Sequence, residues 1–229
     1  MSKKFLLILF LLWNTLLADS LVLNNVLPQN NSTIKEELYP VGLNNTYFSY
    51  ITKTYEDGVG SYFWTFKIQN ISTNKIEKFI SMEQVNKVQN SLPKEFIQKI
   101  ENIEKQYKIS RKENLKLRSF PLCKENSVIK SSIKDFKHIT KGNVTTKIKN
   151  VVLIEDDKLS KEIAQVKEIN FFGHLKYYNY NLAGYIYDKD YNNLIVVVTF
   201  NKKADEESDE IFSFKVFGTN LSFRDKVKE

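Results

Sequence analysis

The chain opens on a largely apolar run of thirteen residues, Phe5 to Leu17, interrupted only by Asn14-Thr15, behind Met1-Ser2-Lys3-Lys4 and ahead of Ala18. A short basic start, an apolar stretch and a small residue at its end are the pattern of a secretory signal peptide. The run falls short of the roughly 20 apolar residues that a membrane span needs. Residues 1–18 therefore read as a signal peptide cut after Ala18, with Ser20 as the alternative because Ala18-Asp19-Ser20 is also a small-x-small triplet. Leu16 is large for its place two before Ala18, which leaves an uncleaved anchor as a third reading.

Residues 19–40 mix Asn, Ser and Pro with a few apolar positions and read as a leader into the domain. A period of two then begins. Thr46 to Tyr55 is aromatic and β-branched, Glu56 to Gly60 makes a turn, and Ser61 to Ile71 alternates so that Trp64, Phe66 and Ile68 share one buried face. Ser81 with Gln84 has the form of a capping box, so Ser81 to Asn90 is predicted as a short helix. Pro93 opens a second helix running to about Tyr107, because Phe96, Ile100, Ile103 and Tyr107 form one stripe. Further strands are predicted at Leu115–Phe120, Val144–Ile154, Ile169–Phe172, Tyr177–Tyr187, Leu194–Asn201 and Ile211–Phe217, the last two joined by the acidic loop Ala204 to Glu210. The expected fold is α+β: a single β-rich domain over residues 41–222, mostly antiparallel sheet, with a short helical insertion near 81–109.

An internal echo bears on this fold. At an offset of 148 residues Asn44-Asn45 falls on Asn192-Asn193, Trp64 on Phe212, Phe66-Lys67 on Phe214-Lys215 and Ile68 on Val216. Two related hairpins from a duplication would produce this, and so would the shared grammar of any two antiparallel hairpins.

The segments Gly42-Leu43-Asn44-Asn45-Thr46-Tyr47-Phe48-Ser49-Tyr50 and Tyr55-Glu56-Asp57-Gly58-Val59-Gly60-Ser61-Tyr62 resemble the opening of an uncharacterised bacterial family of predicted secreted proteins. The resemblance spans about residues 40–218, and this chain has Asn44-Asn45 where the family has an Asp-Gly turn. It implies export and a β-rich domain, and it assigns neither an activity nor site residues.

Composition narrows the function classes. With 42% apolar and 13% aromatic residues, the chain can fill a core without disulfides, and its one cysteine, Cys123, allows no internal bridge. Cys123 reads as a small buried hydrophobe, with intermolecular pairing or reactivity as the other reading. The net charge of +7 becomes about +5 once Lys3 and Lys4 leave with the signal. Residues 75–149 hold 18 Lys or Arg against 8 Asp or Glu. Such a basic middle is either a solvated face or a surface for acidic envelope polymers or anionic headgroups. Nearly all of these cations are lysines, whereas nucleic-acid readers favour the planar fork of arginine, so no nucleic-acid partner is expected.

Candidate chemistry is sparse. The two histidines, His138 and His174, sit in no metal or triad motif. Asp188-Lys189-Asp190-Tyr191-Asn192-Asn193 places oxygens at alternate positions as calcium loops do, but the sixth position is Asn rather than Gly and the twelfth is Thr199 rather than Glu. A turn explains the same residues. Neither a cofactor, a metal site nor a catalytic residue is expected. The residues singled out for binding are Tyr177, Tyr178, Tyr180, Tyr185 and Tyr187, a tract of which half should face outward, together with Trp64, since exposed aromatics stack on sugars or anchor interfaces. The functional expectation is a periplasmic or secreted, non-enzymatic protein that binds an envelope protein or polymer. The alternative is a hydrolase acting on envelope polysaccharide.

Overall fold

The computed structural model describes residues 21, 23–27, 34–56, 60–84, 92–112, 115–124, 127–155, 159–171, 174–203 and 210–221. The strands are β1 (Ile34–Leu43), β2 (Tyr47–Glu56), β3 (Ser61–Asn70), β4 (Ile76–Gln84), β5 (Ser110–Arg111), β6 (Leu122–Lys124), β7 (Ser127–Lys141), β8 (Val144–Glu155), β9 (Leu159–Phe171), β10 (His174–Asp188), β11 (Asn193–Lys202) and β12 (Ile211–Asn220). Among the described residues one helix, α1 (Lys94–Tyr107), lies between β4 and β5. The strands join in the order β4-β3-β2-β1-β12-β11-β10-β9-β8-β7-β6, with β5 paired to β1 off this path. Among the described residues every pairing is antiparallel except β1 with β12, whose parallel contact comprises Ile34 opposite Ile211 and Lys35 opposite Phe212.

Period-two alternation gives the sheet apolar residues on both faces, and three cores result. In the first, Trp64, Phe66 and Ile68 of β3 and Ile51 of β2 pack under Phe96 and Ile100 of α1. In the second, Leu38, Phe48 and Tyr50, on the other face of β1 and β2, meet Ile195, Val197, Phe212 and Val216 of β11 and β12. In the third, Val196, Val198 and Phe200, on the other face of β11, meet Val151 and Val166 of β8 and β9. The molecule is thus a stack: helix, first meander (β1–β3), second meander (β10–β12), third meander (β7–β9). Helix α1 ends where Lys108 turns left-handed at φ 54° and the Ile109 N–H returns to the Glu104 carbonyl at 2.9 Å.

Several expectations are corrected. Ile34 to Pro40, placed in the leader, belong to strand β1. Ser81 to Gln84 continue β4 rather than capping a helix, because Ile80 and Met82 alternate opposite Phe66 and Trp64. Tertiary pairing outweighs the local capping signal there; residues 85–91 lie outside the described set. Leu115 to Phe120 make no strand, only a two-way bridge between Arg118 and Tyr185. Strand β7 was not foreseen, and β9 begins ten residues earlier than Ile169. Cys123 is exposed, because β6 turns its neighbour Leu122 inward instead. The signal peptide and acidic residues 204–209 lie outside the described residues. No helix among the described residues is long and apolar enough to cross a membrane.

Candidate functional site: a groove along the free edge of strand β12

The six aromatics singled out from sequence do not form an open surface. Trp64, Tyr180 and Tyr185 are buried, and Tyr177, Tyr178 and Tyr187 are half-buried. Two β-bulges in β10 keep Tyr177, Tyr180, Tyr185 and Tyr187 on the side of the third core despite their uneven spacing. Tyr185 stacks on Phe120 with ring centroids 4.8 Å apart, and Tyr187 donates to Asn192 Oδ1 at 3.0 Å. Tyr177, Tyr180 and Phe200 surround the Lys215 ammonium at 5.9, 5.8 and 5.4 Å, a cation held over ring faces. Trp64 donates its indole N–H to Gln84 Oε1 at 3.0 Å. Tyr177, Tyr180, Tyr185 and Tyr187 fill the third core, and the hydroxyls of Tyr180 and Tyr187 are bonded within the fold.

The cluster at Asp188 is also occupied from within. Lys112 Nζ donates to Asp188 Oδ1 at 2.8 Å and to Asp190 Oδ2 at 2.6 Å. These bonds to Asp188 and Asp190 raise the Lys112 pKa above the ordinary lysine value. The carboxylates that sequence offered to a hard cation hold an ammonium, and among the described residues no group of three His, Cys, Asp or Glu could hold a metal ion. His138 is exposed; the side chain of His174 lies outside the described residues.

A site forms where the two halves of the sheet part company. Strand β1 leaves β12 after two residue pairs, so the outer edge of β12 beyond Phe212 has no strand beside it among the described residues. Two side chains of the first meander supply part of the missing ladder. Gln69 Nε2 donates to the Val216 carbonyl at 2.9 Å, and the Gly218 N–H donates to Asn74 Oδ1 at 2.6 Å. Gly218 makes this approach possible, since a Cβ there would lie 2.8 Å from Ile71 Cα. Backbone groups of alternate residues point to the same edge, so the N–H and C=O of Phe214 face the same way as the Val216 carbonyl.

Along this edge runs a groove of about 310 Å³. Glu36, Tyr50, Lys67 and Gln69 line one wall, Ser213 to Phe217 the other, and Asn74 and Ile76 one end. The Tyr50 hydroxyl donates to Gln69 Oε1 at 3.1 Å, and Ser213 donates to Glu36. Lys67 lies opposite Tyr50 in the ladder, its ammonium 5.9 Å from the ring centre. Among the described residues it has no carboxylate within ion-pair distance. Burial lowers its pKa below 10.5; Glu36 opposes that shift, and Lys202 adds to it. Burial likewise raises the Tyr50 phenol above its ordinary value, with Glu36 adding to the effect. The groove therefore offers a partly desolvated cation, the backbone groups of Phe214, and apolar walls at Ile76 and Phe217. Its one carboxylate among the described residues is Glu36, whereas glycoside hydrolysis commonly uses a pair.

Lys67 was legible in sequence only as a polar member of an alternating strand, and the second wall of the groove is 147 residues away at Val216. Comparison of the chain with known protein families, curated proteins and solved structures gives no match.

Proposed function

We propose that the protein is an exported, non-enzymatic binding protein of the envelope or its surroundings, and that the β12 groove holds an anionic, carboxylate-bearing part of its ligand. Export rests on the basic-apolar-small start of the chain and on the resemblance to secreted proteins. The observation that carries the binding reading is Lys67: an ammonium kept partly out of water, without a carboxylate of its own, in a groove that also presents free backbone edge. A half-buried cation with no carboxylate within ion-pair distance among the described residues is only partly compensated by the Tyr50 ring, and an incoming carboxylate would add a charge-assisted hydrogen bond.

The test is calorimetric titration of the purified chain with carboxylate-bearing envelope fragments, namely muramoyl peptides and uronic-acid oligosaccharides. Binding is expected to fall at least tenfold in Lys67→Met, in line with the roughly 1.5–3 kcal/mol of a hydrogen bond to a charged group. It should also fade as pH rises through the lowered Lys67 pKa, and persist to higher pH in Lys67→Arg. Lys67→Met removes a buried charge and should fold at least as well as the parent. Equal binding by parent and Lys67→Met, or no binding of either fragment class, would overturn the groove assignment. N-terminal sequencing of the protein from an envelope fraction tests export separately: a chain that still begins at Met1 defeats it.

A further inference from the structure

The third meander has two faces of opposite character, and its register sorts them, because cross-strand partners share a face. On the inner side Asp135 lies opposite Lys149 and Lys149 opposite buried Val166, while Lys147 lies opposite Glu168. Lys149 Nζ stands 3.0 Å from Glu168 and 3.8 Å from Asp135, so both carboxylates of this stretch are neutralised on that side. On the outer side the rows read Lys134–Asn150–Gln165, then Lys137–Ile148–Lys167, then Ile139–Thr146–Ile169. Lys141 opposite Val144 completes the tip. These rows contain no Asp or Glu; the next outer row, Ser132–Val152–Glu162, carries an exposed carboxylate, and Asn150 is buried, so the acid-free part of the face is the end towards the β7–β8 turn.

Over residues 127–149 there are six lysines and a single acid, Asp135. Lys134, Lys137, Lys141 and Lys167 are exposed, and among the described residues none has a carboxylate within ion-pair distance. Ile139, Ile148 and Ile169 are half-buried between them and belong to none of the three cores. Where β7 bulges between Asp135 and Lys137, the extra residue is Phe136, and it is 59% exposed.

We propose that this outer face rests on an anionic lipid bilayer. The lysines meet headgroup phosphates while their stems cover the isoleucines, and Phe136 enters the boundary between headgroups and acyl chains. Charge complementarity selects the partner: apolar centre and unpaired lysine rim match a surface that is negative outside and apolar beneath. The assignment is independent of the β12 groove, which lies on another layer of the stack.

The test is co-sedimentation of the processed chain, residues 19–229, which lacks the apolar start and its Trp13, with vesicles of phosphatidylcholine alone or mixed with phosphatidylglycerol. Binding is expected only to the mixed vesicles, and release is expected on raising salt to about 1 M, where the Debye length falls to about 3 Å. Lys134→Glu with Lys137→Glu should lower affinity at least tenfold, given roughly 1 kcal/mol for each lysine near such a surface. Both are exposed side chains, and a melting curve checks that the variant folds. In Phe136→Trp, brominated lipids should quench the new emission while leaving buried Trp64 untouched. Equal binding to neutral and mixed vesicles, an unchanged charge-reversed variant, or no quenching would each overturn the proposal. So would equal capture by soluble polyglutamate that Phe136→Ser leaves unaltered, which would assign the face to an acidic polymer.

Discussion

In the first meander Trp64, Phe66 and Ile68 turn towards helix α1, whereas the residues 148 positions later, Phe212, Phe214 and Val216, turn towards the first meander itself. The turns correspond as well. Asn44-Asn45 links β1 to β2, Asn192-Asn193 leads from β10 into β11, and Asn193 Nδ2 donates to the carbonyls of Asn44 and Asn45 at 3.1 and 3.2 Å. Equivalent hairpins thus have equivalent apolar faces and different covers. An apolar alternation states that a face will be buried, and it does not state what will bury it. In this chain a helix covers the first meander, the first meander covers the second, and the third meander closes the far side. The groove opens where the first meander extends past the footprint of the second, at Lys67 and Ile76.

The comparison can be broken most forcefully at Trp64. Trp64→Ala should cost about 3–5 kcal/mol in urea unfolding. If the helix-covered meander is the less constrained of the two, amide exchange in β2 to β4 should accelerate before that in β10 to β12. Uniform acceleration would make the stack one cooperative unit. A smaller effect is expected at Gly218, where the two meanders touch. Gly218→Ala places a methyl against Ile71 Cα and should cost about 1–3 kcal/mol as an overpacked contact. Its exchange signature should appear in both meanders together, since neither owns the contact. The smallest effect belongs to the paired turns. Asn193→Ala removes both hydrogen bonds to the first turn and the one its Oδ1 accepts from Asn220 Nδ2, and should cost about 1–2 kcal/mol. A loss no different from that of Asn45→Ala, which keeps the backbone acceptor, would show that the bridge between turns contributes little.

Local pattern made β2, β3, β11, β12 and α1 legible, because each buries a regular stripe and carries its own turn or cap signal. It failed where burial is one-sided or supplied from afar. Strand β7 puts lysines at Lys130, Lys134, Lys137 and Lys141, so its outer face reads as a charge run rather than as half of an alternation. Strand β1 includes Pro40 and lies in a polar stretch, and its strand character comes from pairing with β2 on one side and β5 and β12 on others. Ser81-Met82-Glu83-Gln84 satisfies a helix-start rule, yet those residues complete the ladder on β3. The tyrosine tract promised outward rings at every second position, and bulges at two places in β10 undid the count. The groove could not be read at all. Its walls come from β1, β2, β3 and β12, and no spacing within one segment announces a strand that leaves its partner after two residues.

That early parting also bears on the assembly of the molecule. Hairpins such as β7–β8 and β11–β12 close over short loops, but Ser213 and Glu36 are 177 residues apart in the chain. Closing a chain of that length costs more entropy than closing a hairpin loop. The groove needs both walls, so ligand capture there would report that β12 has docked, and a chain halted before β12 would carry Lys67 without a pocket to put it in.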